Sequence, residues 1–88
     1  MKIKVFGKKN CAKCETTKNK INHYLKKSNN PLSASLEFHD LDTVEGMTEG
    51  AYNDILKVPT TLIENGDDVL VRWDGEVPKT EDFAHYLQ

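Results

Sequence analysis

Cys11 and Cys14 stand three residues apart at one junction of the chain, and that junction constrains the fold more than any other feature. On its N-terminal side, residues 2–6 alternate, with Ile3 and Val5 apolar and Phe6 at the end, and Gly7 closes the run. This reads as a strand. On its C-terminal side, residues 11–27 contain neither glycine nor proline, and Cys14, Thr17, Ile21 and Leu25 recur at helical spacing. Asn10 is placed to cap that helix, and Ser28-Asn29-Asn30-Pro31 stops it. The cysteines therefore open a helix directly after a strand, close enough in space for a short disulfide. Two cysteines are too few for a multi-disulfide secreted scaffold. The fold must come from a hydrophobic core, and in 88 residues one core supplies only about 3–5 kcal/mol.

The rest of the chain continues in short elements. Residues 36–41 read as a second strand, with Leu36 and Phe38 on one face. Asp42-Thr43-Val44-Glu45 has the form of a capping box with Asp42 as the cap. Met47, Ala51 and Ile55 then mark a helix face, weakened by Gly46 and Gly50. Val58-Pro59 ends that helix, because the residue before proline avoids the α region. Residues 60–64 form a third strand, Asn65-Gly66-Asp67-Asp68 a hairpin turn, and residues 69–73 a fourth strand. Asp74-Gly75 turns the chain, and Thr80 caps a last helix that carries Phe83, Ala84 and Leu87 inward. The order is βαβαββα, an α/β architecture forming one domain over residues 1–88. Crossover helices imply parallel pairing of the first three strands, and the hairpin adds an antiparallel one.

Charge is split along the chain. Residues 1–27 carry a net +8 and residues 28–88 a net -10, for the overall -2. Such asymmetry raises the question of a nucleic-acid or membrane arm. The lysines, however, are interleaved with Ile3, Val5, Ile21, Tyr24 and Leu25. They belong to folded elements, which argues against nucleic-acid and membrane partners. No apolar run approaches the ~20 residues of a membrane span. The start MKIKVFGKK has no apolar signal-peptide region, and the expected location is the cytoplasm.

At a helix N-terminus a thiol faces unpaired N–H groups and the positive end of the helix dipole. Lys8, Lys9 and Lys13 add positive charge. Together they favour thiolate, so Cys11 is expected to have a depressed pKa and to act as nucleophile. Cys14, on the inward face of the first turn, is the expected resolving thiol. A bridge closing so small a loop constrains little of the unfolded chain, so redox chemistry explains the pair better than stapling does. Other readings compete. Half a zinc site needs two further ligands, and His23, His39 and His85 lack ligand spacing. A copper-chaperone module has another element order. Two core cysteines can also pair by chance.

Combined with Val58-Pro59-Thr60-Thr61, the Cys-x-x-Cys pair resembles the thioredoxin superfamily over nearly the whole chain. The resemblance implies a minimal thioredoxin fold, with a four-stranded mixed sheet flanked by helices. It also implies that Pro59 is cis and lies against the cysteines, and that the Val58 backbone pairs with an incoming peptide or glutathione. Within the superfamily the chain is most similar to glutaredoxins and glutaredoxin-like redoxins. Lys8 falls three residues before the first cysteine, where many glutaredoxins place a lysine. Trp73-Asp74-Gly75-Glu76-Val77-Pro78 loosely resembles the Trp-Ser-Gly-Phe-Arg-Pro pattern of glutaredoxin-like hydrogen donors to ribonucleotide reductase. The family's Pro-Tyr dipeptide is Ala12-Lys13 here, its threonine before Val-Pro is Lys57, and its Gly-Gly element survives as Gly75.

The expected activity is thiol–disulfide exchange by a monomer with no bound cofactor or metal. Cys11 and Cys14 are the catalytic pair, and Lys8, Lys13, Val58, Pro59 and Gly75 are the substrate-binding candidates. Lys13, between the cysteines, is the residue expected to shift the redox potential. Expected partners are a disulfide-containing protein, with ribonucleotide reductase as a candidate, and an electron donor, either glutathione or a flavoprotein such as thioredoxin reductase. The rival classes are a binding module without turnover and a metal or iron–sulfur redoxin. Trp73 is placed either at the groove or in strand-end packing, and Lys57 either at a substrate carboxylate or at a helix C-terminus.

Overall fold

The computed structural model describes residues 1–29 and 33–88. The elements are β1 (Lys2–Gly7), α1 (Ala12–Lys27), β2 (Ser35–Asp40), α2 (Val44–Tyr52), β3 (Thr60–Asn65), β4 (Asp68–Asp74) and α3 (Thr80–Leu87). They follow the βαβαββα order read from the sequence. The four strands form one sheet in the order β2-β1-β3-β4. β1 runs parallel to β2 and antiparallel to β3, and β3 runs antiparallel to β4.

The antiparallel β1–β3 pair corrects the expectation that the first three strands are parallel. That expectation assumes a crossover helix that carries the chain to the far end of the sheet. Here α2 has nine residues and stops at Tyr52, with Asn53 as its C-cap. The irregular segment 53–59 then returns the chain to the end from which it left β2. Val58-Pro59 thus leads into β3; it does not terminate α2, and Lys57 is not at a helix C-terminus. The consequence is functional. Phe6 pairs with Thr60, so β1 leaves the sheet toward Cys11 at the same end where Pro59 enters β3.

Alternation along the strands separates two faces. Ile3, Val5 and Ile63 face one way, and α1 and α3 cover them with Ile21, Phe83 and Leu87, all essentially sealed from solvent. Tyr24 packs edge-on to Phe83 at 5.4 Å, and Trp73 edge-on to Tyr86 at 6.2 Å. Trp73 is therefore a packed strand-end residue. The other face carries Lys4, whose ammonium lies 3.3 Å from Glu64 and 3.7 Å from Glu49 of α2.

Several helix ends differ from the sequence reading. Asn10 takes a left-handed φ of 60°, and the N-cap of α1 is Cys11. The N-cap of α2 is Thr43, not Asp42: its hydroxyl accepts the Gly46 N–H at 3.0 Å. Lys79 precedes α3 without a side-chain cap, leaving Thr80 inside the helix. At the end of α1 the Ser28 N–H donates to the Tyr24 carbonyl at 2.9 Å; Asn30 and Pro31, read as part of that stop, lie outside the described residues.

The inward face of α2 is the largest departure. Met47 is 55% exposed and Ala51 is also exposed, while Ile55 lies beyond the helix. The buried positions are Gly46 and Gly50. A β-carbon on Gly46 would overlap the Asp40 carbonyl. The helix lies so close to the end of β2 that hydrogen is the only side chain with room, and a hydrophobic-spacing argument misses such a contact.

Arg72 fastens the segment after α2 to β4. Its guanidinium donates to the Asn53 carbonyl at 2.7 Å, to the Asp54 carbonyl at 3.1 Å and to the Asp74 carboxylate at 2.8 Å. The Arg72 hydrogen bonds hold the Asp74 carboxyl below its ordinary value, against the opposing effect of partial burial; the Arg72 and Lys57 charges and the Thr60 hydroxyl add to the lowering. A depressed folded-state pKa contributes stability above the unfolded value, near 4, and loses it as pH falls through the folded value. Urea midpoints at pH 7 and pH 3 are therefore expected to differ less in Asp74→Asn than in the parent. Both side chains are partly solvated, so the effect is modest.

Candidate functional site

Cys11 and Cys14 are joined by a disulfide, with their Cα atoms 5.2 Å apart. Their environments differ. Cys11 is half-buried at the head of α1, and its Sγ accepts the Cys14 N–H at 3.2 Å. Cys14 is 1% exposed. One sulfur is reachable from solvent and lies among the free N–H groups of a helix N-terminus; the other is sealed behind it. Cys11 caps α1 with its own sulfur, a role the sequence reading gave to Asn10.

Gly7 makes the seat for Cys14. A β-carbon at Gly7 would lie 2.8 Å from Cys14 Cβ, 2.9 Å from Cys14 Sγ and 3.1 Å from Phe38 Cε1. Sequence reasoning takes Gly7 only as a strand stop; the signal it offers is a glycine four residues before the first cysteine. Gly7→Ala is expected to push the first turn of α1 off the sheet and to lower stability by about 1–3 kcal/mol, the usual cost of overpacking. Urea denaturation of the oxidised protein checks this.

Most of the other candidate residues fall into two groups, one at the start of β3 and one beside Cys11. On the β3 side, the Val58-Pro59 peptide bond is cis. Gly75, at a left-handed φ of 74°, donates its N–H to the Pro59 carbonyl at 2.8 Å. The stem of Lys57 runs along Gly75, leaving a β-carbon there only 3.0 Å from Lys57 Cδ. Val58, Pro59, Gly75 and Lys57 are thus one cluster of loops. On the β2 side, an open groove of about 680 Å³ borders Cys11 and is lined by Lys8, Lys9, Lys18, Phe38 and Asp40 among others. Lys18 lies 5.2 Å from the Phe38 ring centre and 3.3 Å from the Glu15 carboxylate. Lys13 is exposed on α1 and does not line this groove.

Among the described residues, no three His, Cys, Asp or Glu side chains gather as metal ligands do. Sequence reasoning takes Phe38 only as a strand residue and does not mark Lys18, because the place of Phe38 beside Cys11 and under Lys18 depends on the pairing of β2 with β1.

Comparison with known proteins bears on the whole chain. Residues 1–88 match the family model described as thioredoxin domain. The oxidised form of thioredoxin O2 from Arabidopsis thaliana superposes with a TM-score of 0.81 at 17% identity, covering 98% of this chain and 73% of that one. Thioredoxin 1 from Thermosipho africanus gives 0.77 at 23% identity, covering 99% and 94%. Thioredoxin-2 of the malaria parasite gives 0.80 at 19% identity, covering 97% and 78%. At these identities the likeness shows a shared α/β fold, with its four-stranded mixed sheet and three helices. No curated protein sequence matches the chain significantly.

Proposed function

The chain belongs to the thioredoxin domain family, and on that premise we propose that it is a dithiol–disulfide oxidoreductase that reduces protein disulfides through Cys11 and Cys14. The observation that carries this reading is the asymmetry of the pair: a half-buried Cys11 sulfur at a helix N-terminus, bridged to a sealed Cys14. In the reduced protein the Cys14 N–H, the helix dipole and the nearby lysines stabilise a Cys11 thiolate. That thiolate attacks a substrate disulfide, and one substrate half leaves as thiolate. Cys14 then attacks the mixed disulfide at Cys11; the Cys11–Cys14 bond forms, the Cys11–substrate bond breaks, and the second half leaves reduced. The cis-Pro59 loop, with the Val58 backbone at its edge, is where an extended substrate segment pairs.

What supports a glutaredoxin-like form of this activity is Lys8 in the groove beside Cys11 and Lys57, whose stem runs along Gly75, two cations of the sign that the carboxylates of glutathione require. The test supplies reduced glutathione with glutathione reductase in one arm and NADPH with thioredoxin reductase in the other, with insulin and hydroxyethyl disulfide as substrates. Turnover in either arm identifies the donor. Absence of turnover in both arms, and with dithiothreitol, rejects an oxidoreductase in favour of a binding module.

A further inference from the structure

Among the described residues three threonines are fully buried, Thr17, Thr60 and Thr61. The Thr17 hydroxyl donates to the Lys13 carbonyl at 2.8 Å and the Thr60 hydroxyl to the Lys57 carbonyl at 2.7 Å. Thr61 differs: its Oγ1 is sealed from solvent and has no hydrogen-bond partner among the described residues. A buried hydroxyl left unmade costs about 1–3 kcal/mol, and one that persists calls for a reason. Valine at this position would fill nearly the same space without the cost.

The position of Thr61 supplies the reason. Thr61 pairs with Val5 across β1–β3, on the sheet face that α1 covers. Gly7, the seat of Cys14, is two residues on from Val5 and on the same face. Thr61 is therefore the diagonal neighbour of the Gly7 position, and diagonal neighbours on one face lie ~7–8 Å apart at Cα and closer at Cβ. Cys14 projects onto that face and is as dry as Thr61. In the disulfide, the Cys14 sulfur is a poor acceptor and is held toward Cys11. Once reduced, it is free to turn and becomes a strong acceptor as thiolate.

We propose that the Thr61 hydroxyl is the hydrogen-bond donor to the Cys14 sulfur in the reduced protein, unpaired in the disulfide form and satisfied on reduction. This rests on the reading that Cys11 and Cys14 cycle, and supplies what that reading lacks: a polar group that steadies the resolving thiolate. Thr61 accepts no proton. When Cys14 attacks the mixed disulfide at Cys11, the proton it has lost ends on the departing substrate thiolate, and the hydroxyl is released from its bond as the Cys11–Cys14 bond forms.

The test is the equilibrium of the Cys11–Cys14 couple against dithiothreitol in Thr61→Val and Thr61→Ser. Thr61→Val loses the bond in the reduced state and relieves the orphan in the oxidised state, so both effects favour the disulfide. The expected shift is about tenfold toward the oxidised form, which for a two-electron couple is ~30 mV more negative. Thr61→Ser keeps the hydroxyl and is expected within about twofold of the parent. If Thr61→Val does not fold, Thr61→Ala carries the same prediction. A merely structural hydroxyl changes the stability of both forms alike, so an equilibrium unmoved by its loss, or moved toward the dithiol, overturns the proposal. A parent pair that never cycles with dithiothreitol overturns the redox reading itself, and this proposal with it.

Discussion

Replacing Cys11 with serine is expected to lower disulfide-exchange turnover by at least about 10³-fold, the scale of losing a nucleophile, while Cys14→Ser accumulates a covalent adduct with the substrate. The two variants diverge because the two sulfurs are placed differently. Cys11 is the accessible sulfur at the helix N-terminus, so without it no first bond forms. Cys14 is 1% exposed and cannot meet an external disulfide, but it is bridged to Cys11 and is therefore the thiol expected to resolve the adduct. Mass spectrometry of each reduced variant after mixing with insulin reads the outcome. Adduct on Cys14 in the Cys11→Ser variant, or full turnover by Cys14→Ser in the absence of glutathione, contradicts the assignment. A glutathione-dependent route, in which glutathione resolves the adduct in place of Cys14, appears as turnover by Cys14→Ser only in the glutathione arm.

Gly46→Ala is expected to cost the most stability among single conservative changes. In an exposed helix this substitution stabilises by about 1 kcal/mol; here the sign inverts. The new methyl overlaps the Asp40 carbonyl, which already accepts the Thr43 N–H at 3.0 Å and the Thr43 hydroxyl at 2.7 Å. It also crowds the Thr43 Oγ1 that caps α2. Overpacking of about 1–3 kcal/mol and loss of a cap worth about 1 kcal/mol bring the penalty near 3 kcal/mol. For a chain of this size that lowers Tm by roughly 12–24 °C. Gly50→Ala crowds the end of the Leu41 side chain, which can move, and meets Ile55 only at ordinary contact distance, so its loss is smaller. Thermal denaturation of the two variants together decides the point; equal losses mean that the Asp40 contact is not the cause.

The residues that showed themselves in the sequence are those whose role is local. Cys11 and Cys14 at a strand–helix junction, the glycine hairpin at Gly66, and Ile3, Val5, Ile21, Phe83 and Leu87 at their characteristic periods all announce element type and core. What the sequence hid depends on contacts between distant elements. The direction of β3 is set by the segment 53–59, which no pattern describes. The inward face of α2 is glycine, so the apolar residues that spell its period, Met47 among them, point outward. Phe38 reaches the groove beside Cys11, under Lys18, only because β2 pairs with β1. Thr61 reads as an ordinary strand residue until the register sets it diagonal to Gly7.

If the chain is an oxidoreductase, electrons pass through the Cys11–Cys14 pair. The most direct measurement mixes reduced protein with insulin for one turnover, quenches in acid, alkylates the free thiols and assigns each cysteine by mass spectrometry. The expected result is an insulin adduct on Cys11, formed as the first insulin thiol is released, then a Cys11–Cys14 disulfide appearing at the rate at which the second is released. Insulin thiols released while both cysteines remain alkylatable, or a reduced pair that leaves insulin untouched, would contradict it.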